Sequence, residues 1–128
     1  MLAKLLMPHA DRVYTIFRIL LGLLFAFHGV QKVLGLLTIE QTELFTQMWF
    51  GGVIELLTGL AIAFGLQTRW AAFLASGTMA VAYIQFHWNF AMDENFFPIV
   101  NGGELAVVYC FAFLYIACKG GGRSGGGG

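Results

Sequence analysis

The 128 residues leave room for one domain, and 59% hydrophobic against 11% charged residues lies far outside the composition of soluble domains, so the chain reads as a membrane protein. A formal charge of zero excludes the basic stripe that a nucleic-acid partner requires. Cys110 and Cys118 fall in one apolar segment, about 12 Å apart by helical rise, which excludes a disulfide between them, and they form no metal pattern.

Met1–Arg12 is a short amphipathic lead suited to lying on the inner membrane interface. Four apolar stretches follow, near 13–35, 48–66, 70–88 and 98–118, each close to the roughly 20 residues that cross a hydrocarbon core. Backbone facing lipid must satisfy its own hydrogen bonds, so each is predicted to be a helix. The first is too long for a signal-peptide core, is interrupted by Arg18 and lacks a small-residue cleavage site, so it is expected to be retained. The links Leu36–Gln47, Gln67–Arg69 and Asn89–Phe97 are short, which makes neighbours antiparallel. The fold expected is all-α, an integral membrane four-helix bundle running up-down-up-down. Lys4, Arg12, Arg69, Lys119 and Arg123 fall on the side holding both termini, while the other two loops carry only Glu40, Glu43, Asp93 and Glu94. The positive-inside rule then places both termini in the cytoplasm, and Trp49, Trp70 and Trp88 sit at predicted span ends. Residues 119–128, "KGGGRSGGGG", read as a flexible glycine-rich tail whose end, from Ser124, resembles an added linker.

Charged side chains at mid-bilayer cost about 2.5–3.5 kcal/mol each, so the polar residues inside the spans must face other helices. Relative to Arg18, Lys32 lies about 40° and His28 about 80° around the first helix, on the side that also carries Gly22 and Gly29, and Gln31 points the other way. In the second span Gly51, Glu55 and Gly59 recur every four residues, a carboxylate flanked by glycines that permit close helix approach. The third carries Ala72, Ser76 and Ala80 at the same spacing and ends with His87. The fourth opens with Pro98 and "NGGE", which puts Asn101 and Glu104 on one helical face. Counted by depth, His28, Lys32, Glu55, His87 and Glu104 converge in the outer half of the bundle, with Lys32 paired to Glu55 or Glu104. Arg18 lies alone in the inner half with no evident partner.

Such a cluster reads either as internal glue for the bundle or as a site, because intramembrane ionisable groups are functional by default and histidines exchange protons near neutrality. His28, His87, Glu55 and Glu104 offer metal-ligand types, but Lys32 would repel the ion and no spacing signature exists, so no metal is assigned. No nucleophilic triad, phosphate loop or nucleotide fingerprint is present. Phe25, Phe27, Phe86, Phe90, Phe96 and Phe97 read as core or lipid-facing, with those near His28 and His87 available to line a pocket for a flat ring.

Arg18, Gly22, Phe25, His28–Gly29, Lys32 and Gly35, followed by "GGVIELLTGL", "TRWAA", His87 and "NGGE", resemble the DoxX family of small bacterial membrane proteins across residues 12–124. The family's terminal glycine-rich stretch, Ser and acid departs here at Gly125. The resemblance implies a multi-pass protein of the bacterial cytoplasmic (inner) membrane, in a family linked to respiratory and redox functions. Its relatives are similar to the small subunit of a thiosulfate:quinone oxidoreductase, and others are associated with thiol or oxidative-stress complexes. The function expected is a subunit of a quinone-linked redox complex. Lys32 and His28, with Asn101 and Glu104, would contact a quinone, and Glu55 or Glu104 would relay protons with His87 in the same cluster. Haem, iron–sulfur and flavin signatures are absent from the sequence, so a protein partner carrying redox centres is expected alongside the lipid bilayer. Two alternatives remain open: a non-catalytic adaptor that anchors a larger complex, and a transporter of protons or a small acid. Glycine-faced helices are equally compatible with packing within one chain and with a homo-oligomer.

Overall fold

The computed structural model describes residues 1–38, 40 and 42–122, which are helical with no strand among them. Helix α1 (Leu2–Leu6) runs through a 3-10 turn at Met7–His9 into α2 (Ala10–Leu34). Helix α3 covers Gln47–Phe64, and α4 (Thr68–Ala82) continues as a π-helical segment, Tyr83–Trp88. A 3-10 turn at Glu94–Phe96 leads to the short α5 (Pro98–Asn101) and then α6 (Glu104–Lys119). Helix α2 stops at Gly35 and α3 at Gly65, both left-handed (φ 65° and 74°), the conformation that glycine adopts without strain. The Thr46 hydroxyl caps the start of α3 by accepting from the Trp49 amide, satisfying one of the donors that a helix N-terminus leaves open.

Contacts run in opposite order along the paired helices. Gly22 lies against Gly59 and Ala63, and Gly29 against Gly52 and Leu56, so α2 and α3 are antiparallel. Added Cβ atoms at Gly22, Gly29 and Gly59 would stand 2.5–2.6 Å from backbone of the facing helix; only hydrogen fits where main chains approach so closely. Helices α4 and α6 pair likewise: Arg69 Nη1 donates to Ala117 O (3.0 Å), and Ser76 Oγ donates to Cys110 O (2.7 Å). Helix α6 also meets α2, where Tyr14 OH donates to Gly120 O (2.5 Å) and Phe25 packs on Phe113 (4.7 Å between centroids). Phe25, Ile62, Ala72, Met79, Tyr109, Phe113 and Ile116 form the buried core.

Arg18, whose partner was not evident from depth, is buried and donates through Nη1 to the carbonyls of Ile62 and Ala63. A guanidinium there meets the negative end of α3 and satisfies terminal carbonyls. The stretch read as one helix over 98–118 is divided. Gly102 is left-handed (φ 76°) and ends α5, and Asn101 Oδ1 accepts from the Gly103 amide (2.8 Å). Of the glycine-rich tail, Lys119 ends α6 and Gly120 and Gly121 are buried, while 123–128 lie outside the described residues.

The outside of these helices is apolar: Leu20, Leu24, Leu57, Phe64, Phe73, Val108 and Phe111 are all exposed. Leu2–Leu34 and Gln47–Phe64 are each long and apolar enough to cross a membrane.

Candidate functional site

A cavity of about 860 Å³ lies among α2, α3, α4 with its π segment, and α6, lined by Phe25, His28, Lys32, Glu55, His87 and Tyr109 among others. The volume falls in the roughly 300–1,000 Å³ range of small-molecule sites, and the wall has their usual character, apolar with a few convergent polar groups.

Lys32 and Glu55 form the polar centre. Lys32 Nζ stands 2.6 Å from Glu55 Oε1, with the carboxylate side chain 3% exposed and the lysine 26%. Gly52 makes the approach possible, since a Cβ there would lie 2.5 Å from Lys32 Cβ. The lysine stem therefore crosses α3 where α3 has no side chain. A buried carboxylate among apolar groups is tolerable only when paired, and Lys32 supplies the pairing. The other oxygen, Oε2, is buried without a hydrogen-bond partner among the described residues.

His28 presents its ring edge-on to Tyr109 (6.0 Å between centroids, 90°), and Tyr109 is held in turn by stacking on Phe113 (5.5 Å, 6°). His28 and Tyr109 also line a smaller cavity of about 180 Å³ with Leu24, Phe27 and Gln31. His87 comes from the π segment, its ring stacked on Tyr83 (6.3 Å) and its Nδ1 3.3 Å from Asn101 O. Such local widening of a helix is frequent at functional sites, and Gln85 in the same segment accepts from Gln47 Nε2 at the start of α3 (2.5 Å).

Of the cluster read from sequence, His28, Lys32, Glu55 and His87 line one cavity; Glu104 and Asn101 do not. Glu104 is exposed at the first turn of α6, and Lys32 pairs with Glu55. Because the chain breaks between α5 and α6, Asn101 and Glu104 do not share a helical face. Asn101 instead fastens the turn: Nδ2 donates to Tyr83 OH (3.1 Å) and to Asn95 O (2.9 Å). Of the two glycines read as flanking Glu55 for close helix approach, Gly59 faces α2, whereas Gly51 has no atom within 4 Å of an added Cβ and lines the cavity; its neighbour Gly52 meets α2 instead. Tyr109, Gln47 and Thr78 also line it and were not singled out from sequence. Tyr109 carried a faint signal, as the one hydroxyl-bearing position on the α6 stripe that continues with Phe113 and Ile116.

No solved structure matches the chain. A protein of Haemophilus influenzae (strain ATCC 51907 / DSM 11121 / KW20 / Rd), described only as uncharacterized, is 46% identical over 71 residues, covering 56% of this chain and 52% of the relative. The chain thus spans about half the length of that curated relative. The DoxX family model matches residues 13–88, the stretch that supplies His28, Lys32, Glu55 and His87 to the cavity. This chain belongs to the DoxX family.

Proposed function

We propose that the protein is a multi-pass subunit of a redox complex in the bacterial inner membrane and that the cavity receives a quinone. The DoxX family is membrane-associated, and the apolar exterior is suited to lipid. In this reading the four long helical segments form a membrane bundle with both termini cytoplasmic. Supporting that orientation, Arg69 and Lys119 meet the α6 C-terminus and Tyr14 at one end, while the loops carrying Glu40, Glu43, Asp93 and Glu94 lie at the other.

The observation that carries the reading is the Lys32–Glu55 pair, its carboxylate buried, in the wall of a largely apolar cavity that His28 and His87 also line. The residues suit a flat ring bearing oxygens: Lys32, 26% exposed and held by Glu55, is a donor, and His28, Tyr109 and Phe25 offer ring surface. A bound quinone would supply two-electron, two-proton redox chemistry. This chain's residues would orient the ring, exclude water and hold protons at Glu55, His28 and His87, with electrons coming from a partner protein.

The test is equilibrium binding of a decyl-tailed benzoquinone to the purified protein in lipid nanodiscs. Glu55→Gln preserves shape and removes the charge. It is expected to weaken binding at least about tenfold, about 1.4 kcal/mol, in protein that is still folded at the assay temperature although the broken pair lowers its melting temperature. Unchanged affinity and unchanged turnover in the assembled complex would defeat the reading in favour of the adaptor.

A further inference from the structure

The glycines of this protein divide into two kinds. A Cβ at Gly22, Gly29, Gly52 or Gly59 would meet a neighbour at 2.5–2.6 Å, whereas one at Gly51 or Gly77 would meet nothing within 4 Å. Both of these open glycines line the large cavity, one from α3 and one from α4. Around them the lining residues Phe50, Phe73, Leu74 and Val81 are half or more exposed or nearly so (50%, 60%, 52% and 49%). On α4, Phe73, Gly77 and Val81 recur every four residues and so form one face. The cavity is therefore not closed on this side: it runs out between α3 and α4 to the apolar exterior as a slot walled by aromatic and aliphatic side chains, with glycine where a side chain would block it.

We infer that this slot is a lateral opening to the bilayer that takes the apolar tail of a single-headed amphiphile, the head lying against Lys32 and Glu55. This rests on the quinone reading for the nature of the head and adds the tail, the route of entry and the two residues that keep the route open. Two features select this occupant. The ion pair at the inner end is neutral as a whole and its lysine, 26% exposed, can still donate, which suits an uncharged oxygen-bearing head and disfavours an anionic one. The volume of about 860 Å³ lies toward the upper end of small-molecule sites, which leaves length for a tail beyond a single ring.

The experiment uses the full chain in nanodiscs with two photoreactive probes, a benzoquinone carrying a diazirine in a decyl tail and a dodecanol carrying the same diazirine. Binding of a tailless dimethoxy-methyl-benzoquinone is measured beside them. The slot requires that cross-links from the tailed quinone map to the Phe73–Val81 and Phe50–Ile54 segments. It further requires that Gly77→Leu, and separately Gly51→Leu, lower them at least tenfold and by at least threefold more than they lower tailless-ring binding, with helicity at the wild-type level. Cross-links spread over the outer surface, or undiminished in both variants, would overturn the slot while leaving the ring site standing. Failure of the ring to bind wild type, with glycine-dependent dodecanol cross-links at the same segments, would retain the slot and remove the quinone. A change of oligomeric state in Gly77→Leu, read by native mass spectrometry, would assign the slot to a helix of a second copy and overturn the proposal.

Discussion

At the scale of single residues, the question is what the Lys32–Glu55 pair contributes. Removing one partner of a buried ion pair leaves an uncompensated charge and costs about 3–5 kcal/mol, whereas replacing both by apolar groups of similar size is often neutral. Glu55 is 2% exposed, so it belongs to this regime. Lys32→Met is expected to destabilise the protein by about 3–5 kcal/mol, and the double change Lys32→Met with Glu55→Met to recover most of that loss. The measurement is reversible unfolding in mixed detergent micelles. If the pair only fastens the bundle, the double variant should keep every function that the complex has. If it is a site, the double variant folds and does not bind. Arg18 falls on the other side of that division: its donors go to Ile62 and Ala63 at the end of α3, a structural use that needs no ligand.

At the scale of helices, the α2–α3 contact and the α5–α6 break decide where the site residues stand. Gly22, Gly29, Gly52 and Gly59 let two backbones touch, and this contact brings Lys32 within reach of Glu55. A leucine at position 59 would drive its Cβ to 2.6 Å from Ala26 N and Gly22 O, both main-chain atoms that no side-chain rotation can clear. Gly59→Leu is expected to cost at least about 3 kcal/mol, at or beyond the upper end of ordinary overpacking. Gly51→Leu, facing open space, should melt near wild type. Thermal denaturation of the two side by side checks the distinction. The sequence pattern did not contain it, because Gly51 and Gly52 differ by one residue, about 100° of rotation, and lie four and three residues before Glu55, spacings that both fall on one helical face. The break at Gly102 was equally hidden. "NGGE" is compatible with a helix carrying two glycines, and it becomes a boundary only because Asn101 is taken up by Tyr83, Asn95 and Gly103.

For the molecule as a whole, the proposed orientation has a direct check in Cys118, which is exposed beside Lys119, whereas Cys110 is half-buried near Ser76. In a Cys110→Ser background, a membrane-impermeant maleimide is expected to label Cys118 in inverted inner-membrane vesicles and not in intact spheroplasts; the reverse pattern would invert the topology. Composition and apolar spacing were enough to establish helices, their approximate number and an apolar exterior. A run of some twenty apolar residues has few ways to satisfy its backbone, and that constraint is local. The helical spacing also put Arg18, Gly22, Gly29 and Lys32 on one side of α2, because rotation along a helix is local too. Which charges meet is not a local property. Depth counting brought five ionisable groups to one level, and the structure gathers His28, Lys32, Glu55 and His87 around one cavity while leaving Glu104 outside. Only the tertiary structure could decide that, since pairing depends on the rotation of each helix about its axis, on the α5–α6 break and on the π segment that carries His87. All three are set by packing between helices and not by the pattern within any one of them.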